Sequence, residues 1–336
     1  MKKYHVYGIG NALVDLDFEV CNTTIERLHI DKGVMTLIDE ERHHHLLEEL
    51  DGIKHLKACG GSAANTMFTL QQMGAKTFYS CKVGNDSHGD FYLSDLQAQG
   101  IHTNISNSNR NGVTGKCIVL VTPDADRTMN TFLGATSTFS TNELSEADLA
   151  NSEYLYIEGY LVASPTGLEA SILARKMARQ HKVKTAISLS DPNMVTYFKQ
   201  GLCDIIGDKV DILFCNEDEA KLFTDSTDLD QATEKLKRFA DTFVITLGSR
   251  GALVYNGSRS SHVLSYETTV VDTVGAGDVF AGAFLFALTH GMDYSFASVV
   301  ANFAASKVVA KFGPRLNAEE IAAVTRLIEH EQVKTG

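Results

Sequence analysis

Short apolar, β-branched runs alternate along this chain with longer segments whose apolar positions repeat every three to four residues. The runs are Tyr4–Ile9, Thr77–Val83, Lys116–Thr122, Tyr154–Ile157, Lys184–Leu189, Asp211–Cys215, Phe243–Leu247 and Ala252–Tyr255. Helical periodicity covers Ala63–Met73, His88–Gln99, Thr166–His181, Glu217–Thr224, Asp230–Ala240, Asp278–His290, Tyr294–Lys311 and Ala318–His330. Strands separated by helices imply right-handed βαβ crossovers and a mostly parallel sheet covered on both faces. The expected fold is therefore α/β, a three-layer α/β/α doubly wound arrangement. Gly74, Gly100 and Gly291 each follow a periodic segment, where a left-handed helix stop is expected.

Two regions break the rhythm, from about 12 to 57 and from about 110 to 140. Ser106–Asn109 with Asn111-Gly112 is turn-rich, and Lys116–Thr122 followed by Arg127–Leu133 reads as a hairpin. These insertions are taken as one small β-sheet, a lid on a single domain that spans residues 1–336.

Composition narrows the classes. Apolar residues make up 44 % and charged residues 21 %, ordinary globular usage. No stretch approaches the roughly 18 uninterrupted apolar residues of a membrane span. Gly8, Gly10, Asn11, Asp15 and Asp17 interrupt any signal-peptide core behind Lys2 and Lys3, so the N-terminus reads as a first buried strand. The six cysteines are scattered without a Cys-x-x-Cys pair, as expected of reduced core thiols in the cytoplasm. A net charge of −12 argues against nucleic acid as a partner. The chain lacks a Gly-x4-Gly-Lys P-loop and the His-x-Glu of zinc deaminases. His43-His44-His45 is read as the exposed face of a helix.

The most informative segment is Asp272-Thr-Val-Gly-Ala-Gly-Asp278, read as a turn between a strand at Thr268–Val271 and a strongly apolar helix. Gly275 and Gly277 let the main chain approach an anion, and the helix N-terminus adds partial positive charge. Asp278 in the first turn has two readings: a helix cap, or a base that accepts the proton of an attacking hydroxyl. Elsewhere, Gly60-Gly61 opens a helix carrying Asn65, and Gly8-Ile-Gly10-Asn11 leads to Asp15. Leu at position 13 denies the latter a third dinucleotide-binding glycine, which disfavours an oxidoreductase.

Asp272-Thr-x-Gly-Ala-Gly-Asp278 resembles the C-terminal signature of the ribokinase (PfkB) family of carbohydrate kinases, and Gly60-Gly61 with Asn65 resembles its N-terminal signature. The resemblance runs from about residue 4 to 316. It implies in-line phosphoryl transfer from ATP to a primary hydroxyl, with Asp278 as base and the N–H groups of Gly275, Ala276 and Gly277 as the anion hole. It further implies that Asn11, Asp15, Gly60, Gly61 and Asn65 hold the acceptor. Asn216 and Glu219 would organise Mg²⁺ through water, and Thr246, Gly248, Gly251 and Asn302 would meet the nucleotide. Asp272 with the Gly313 region would hold a monovalent cation such as K⁺. Val83-Gly84-Asn85-Asp86 matches a structural turn. Asp126-Arg127-Thr128-Met129 resembles the lid stretch of the adenosine-kinase-like branch, in which Arg127 approaches the phosphates. The expected substrate is a nucleoside; a free-sugar kinase and a non-catalytic nucleotide sensor are the alternatives. Monomer and homodimer both remain open.

Overall fold

The structure, a computed structural model, describes residues 2–106, 110–124 and 127–335, with side chains described through 330. Asp126 and the Asn107–Asn109 part of the turn-rich stretch lie outside the described residues. Among the described residues, thirteen strands and twelve α-helices make two sheets and their covering layers.

The large sheet contains β1 (Tyr4–Ile9), β5 (Thr77–Ser80), β8 (Ser152–Glu158), β9 (Lys184–Ser188), β10 (Val210–Asn216), β11 (Ala240–Thr246), β12 (Ala252–Tyr255) and β13 (Ser260–Val263). Their spatial order is β13-β12-β11-β10-β9-β8-β1-β5, parallel from β5 to β11 and antiparallel at the β12 and β13 edge. Its strands are apolar on both sides, because helices cover both faces. Along β10, for example, Ile212 and Phe214 enter one core while Leu213 and Cys215 enter the other. On the first face lie α3 (Ser62–Gln72), α4 (Ser87–Ala98), α10 (Ala276–Thr289), α11 (Tyr294–Val308) and α12 (Ala318–Thr335). On the second lie α5 (Glu146–Ala150), α6 (Pro165–Gln180), α7 (Pro192–Ile206), α8 (Glu217–Thr224) and α9 (Leu229–Leu236).

The small sheet joins β2 (Leu13–Glu19), β3 (Met35–Leu37), β4 (His55–Gly60), β6 (Gly115–Val121) and β7 (Arg127–Phe132) in the order β3-β7-β6-β2-β4. Alternation gives it two different faces. Leu13, Asp15 and Cys117 point to a cavity above the large sheet. Val14, Leu16, Phe18, Ile118 and Leu120 point away, into the same apolar cluster as residues of two helices. These are α1 (Asn22–Arg27), with Ile25 and Leu28, and α2 (Glu40–Glu49), with Leu46 and Leu50.

The architecture agrees with the sequence reading, and four details differ. Thr268–Val271 is not a strand; residues 264–270 are irregular, and Val271 N bonds to Val309 O instead of to a neighbouring strand. The helix expected to run to Ala240 ends at Leu236, because Ala240 begins the buried strand β11. Helix α7 was missed, although Asp191 caps Asn193 N at 2.7 Å and Pro192 occupies its first turn. His43 is fully buried rather than exposed, its ring 5.5 Å from that of Phe132, because α2 lies flat against the small sheet. The Gly74, Gly100 and Gly291 stops all have positive φ as expected. The Gly84–Gly89 turn is structural: Asp86 caps Gly89 N and also binds Thr114.

No described helix is long and apolar enough to cross a membrane. A basic cavity of about 340 Å³ containing Arg175, Arg179, Lys182 and Lys209 lies at the ends of α6 and α7. Cations gather there because helix C-termini carry partial negative charge.

Candidate active site

A cavity of about 430 Å³ opens at the carboxyl ends of β1, β8, β9, β10 and β11, beneath the small sheet. Ligands of open α/β sheets bind on this side of the strands.

At its floor, Gly275 is the N-cap of α10 with φ 76°, and a Cβ there would meet Pro314 Cβ at 2.4 Å. Only glycine fits. The first turn of a helix leaves N–H groups without carbonyl partners, here those of Gly277 and Asp278. Ala276 N instead donates back to Thr273 O at 3.2 Å, so its N–H is turned into the loop rather than offered with its neighbours. The Asp278 side chain is not a cap. Its Oδ1 accepts from Ser62 Oγ at 2.5 Å, and its Oδ2 accepts from Asn65 Nδ2 at 3.1 Å. Burial pushes its carboxyl up to about 6, and the two hydrogen bonds oppose that rise by favouring the ionised form.

Beside it, Glu158 ends β8. Its Oε1 accepts from Asn11 Nδ2 at 2.8 Å and Asn11 N at 3.3 Å, and its Oε2 accepts from Ala63 N at 2.7 Å. Thr136 Oγ1 donates to Asn11 Oδ1 at 3.0 Å, which closes the network. Burial pushes Glu158 up to about 7. Gly61, with φ 104°, brings the start of α3 against this network; a Cβ would lie 2.1 Å from Asn11 O. Asp15 faces the cavity from β2 and is pushed up to about 7, mainly by burial and then by the charge of Asp17. Gly60 packs directly against the Asp15 carboxyl.

Asn216 and Glu219 form a capping box at the start of α8. Glu219 N donates to Asn216 Oδ1 at 2.8 Å, and Asn216 N and Nδ2 donate to Glu219 at 3.0 and 2.7 Å. Both line the cavity, and burial pushes Glu219 up to about 7. Asp191 lines the same wall. The described residues contain no cluster of three or more ligands able to cage a metal by themselves. The carboxylates on this wall are hard oxygen donors, of the type that suits Mg²⁺ when it keeps several waters.

The sequence-derived residues therefore divide. Asn11, Asp15, Gly61, Asn65, Asn216, Glu219, Thr246, Gly275, Gly277 and Asp278 line one cavity. Gly60, Gly248, Gly251, Ala276, Arg127, Asp272 and Asn302 are not among its lining residues. Leu247 N binds Gly251 O, closing the loop around Gly248. Asn302 Nδ2 donates to Val263 O and Leu264 O at 3.1 and 3.3 Å, pinning the edge of the sheet. Arg127 pairs with Asp17 and Asp272. Sequence reasoning missed Ser62, Glu158 and Asp191. Glu158 carried a signal, an acid at the carboxyl end of an apolar strand. Above the polar floor stands an aliphatic wall of Leu13, Met35, Leu37, Met129 and Leu133.

A family model described as pfkB family carbohydrate kinase matches residues 33–321. Ribokinase of Mus musculus is 29 % identical over 282 residues, covering 79 % of this chain and 83 % of that protein. A probable sugar kinase from Rhizobium etli CFN 42 superposes with a TM-score of 0.90 at 30 % identity, over 97 % of this chain and 99 % of that one. The adenosine kinase of Sinorhizobium meliloti does so with a TM-score of 0.88 at 33 % identity, over the same shares.

Proposed function

The chain belongs to the pfkB family of carbohydrate kinases, and from that footing we propose that it phosphorylates the primary hydroxyl of a nucleoside, with ATP as donor and Asp278 as base. One observation carries the choice of acceptor. The polar floor of the cavity faces an aliphatic wall, Leu13, Met35, Leu37, Met129 and Leu133. A free sugar presents hydroxyls on every side and would leave that wall unmatched. A nucleoside offers a ribose to the floor and a flat base to the wall.

Asp15 and Asn65 hold the ribose hydroxyls, and the Glu158 network keeps Asn11 and the start of α3 in place beneath them. Asp278 accepts the proton of the primary hydroxyl as its oxygen bonds to the γ-phosphorus and the bond to the β-phosphate oxygen breaks. The Gly277 and Asp278 N–H groups, with the α10 dipole behind them, stabilise charge on the transferring group. Mg²⁺ bound with the nucleotide neutralises charge on its phosphates, and Glu219 with Asn216 would hold it through water. The small sheet excludes water that would otherwise hydrolyse ATP. Because its outer face is already covered by α1 and α2, we read the protein as a monomer.

The test is ADP release across a panel of nucleosides and free sugars. Adenosine or another nucleoside should exceed ribose and fructose in kcat/KM by at least about tenfold. Fast turnover of a hexose with none of any nucleoside would overturn the reading.

A further inference from the structure

Asp272 opens the glycine turn, and its carboxylate joins segments far apart in sequence. Oδ1 accepts from Val274 N at 3.0 Å. Oδ2 accepts from Gly313 N at 3.1 Å and from Arg127 Nη1 at 2.6 Å. The Arg127 and Asp272 side chains are only 9 % and 2 % exposed, so solvent and salt screen their attraction little. The other arm of the guanidinium reaches Asp17 Oδ1 at 3.2 Å. One cation on β7 thus clasps β2 of the small sheet and the turn that opens α10.

A monovalent ion at Asp272, as the resemblance implies, needs those same oxygens. Three of the roughly four acceptor positions of the carboxylate are filled. The fourth lies on a carboxylate that holds the guanidinium at 2.6 Å, and a metal ion beside it would meet that like charge in a poorly screened setting. The residues do not fit a bound K⁺.

We propose that Arg127 is itself the resident cation of this site: it supplies the positive charge beneath the glycine cradle, frees the chain from dependence on K⁺, and ties the shape of the cradle to the seating of the small sheet. Arg127 acts here as a positioning residue, through Asp272 and the Val274 N–H that Asp272 holds. The inference rests on the geometry around Asp272 and not on which acceptor the enzyme takes.

The test is thermal unfolding of the full chain in KCl, NaCl and tetramethylammonium chloride at equal ionic strength. The wild-type midpoints should agree within about 1 °C. Arg127→Met removes the charge and keeps the stem, so its midpoint should rise by at least about 3 °C in KCl over tetramethylammonium chloride, as a vacated site takes up the ion. Arg127→Lys, which keeps a charge, should stay indifferent. A wild-type midpoint that rises specifically with K⁺ overturns the proposal, as does an Arg127→Met protein that folds and shows no preference. Should Arg127→Met fold in none of the three salts, the wild-type comparison decides by itself. Unfolding needs no acceptor, so a failure of the nucleoside reading would leave this result legible.

Discussion

At the end of the cavity proposed for the acceptor, Glu158, Asn11 and Asn65 are buried and Asp278 half-buried; Asn11 and the Ala63 N–H hold Glu158, and Asn65 holds Asp278. The Asn216–Glu219 box implied for the nucleotide and its metal is prebuilt in the same way, but the remaining residues implied for the nucleotide are of another kind. Main-chain N–H groups of the α10 start face the cavity, while Asn302 pins the sheet edge and Gly248 and Gly251 sit in a loop away from it. Proton transfer requires a base within a few tenths of an ångström of its place, and a prebuilt network supplies that before any ligand arrives. A nucleotide brings its own charge, metal and hydrogen-bonding groups, so its end of the site can be completed by binding. Substitutions in the Asp278 and Glu158 networks should therefore reach turnover, and those at Asn302, which bonds only the sheet edge, should stay small in their effect on turnover.

The largest effect is expected at the base. Asp278→Asn should lower kcat by about a hundredfold or more while ATP binding, followed by calorimetry, is retained. Next comes Glu158→Gln, whose amide NH₂ must replace one of the two acceptor oxygens and so face either the Ala63 N–H or the Asn11 donors. One buried donor is left unmatched, at a cost of roughly 1–3 kcal/mol. Thermal unfolding should show the loss, and acceptor KM should rise with it while ATP KM holds. Met129→Ala thins the aliphatic wall and should raise acceptor KM by about tenfold, leaving kcat near its original value. Asn302→Ala, at the donor end, should change ATP KM by no more than about twofold and act mainly through stability, by roughly 1 kcal/mol. If Asn302→Ala proved more damaging to turnover than Glu158→Gln, the contrast between the two ends would be lost.

Titration sharpens the same contrast. Asp15, Glu158 and Glu219 sit near 7 in the fold, against 3.8, 4.5 and 4.5 in an unperturbed chain. The native state thus binds more protons than the unfolded state between about pH 4 and 7. Stability contributed by these groups is present at the acid side of that window and declines as pH rises through it. Turnover should move the opposite way, falling below about pH 6 as Asp278 gains a proton. Melting curves and pH–rate profiles of the same preparation check both slopes.

The parts of the site legible in the sequence are those built from neighbours in the chain. The Gly275-x-Gly277-Asp278 turn, the Gly60-Gly61 opening of α3 and the Asn216–Glu219 box each lie within a few residues, where spacing alone dictates geometry. Alternating strands and helices gave away the layers for the same reason. What stayed hidden depends on folding back over long separations. Ser62 meets Asp278, and Arg127 meets Asp272, across 216 and 145 residues. No local pattern could say that the Asp272 carboxylate would be occupied by an arginine from the other sheet. His43 misled for a related reason, since a run of three histidines looks solvated until α2 is laid against Phe132.

Phosphoryl transfer as proposed requires the Asp278 carboxyl to face an acceptor hydroxyl across the first turn of α10. A crystal structure with a bound nucleoside measures this directly. The primary hydroxyl oxygen should lie within about 2.6–3.2 Å of an Asp278 carboxyl oxygen, with the base against Leu13, Met35 and Met129. A nucleoside bound with that hydroxyl turned away from Asp278, or with its base lodged against the glycine turn, would contradict it.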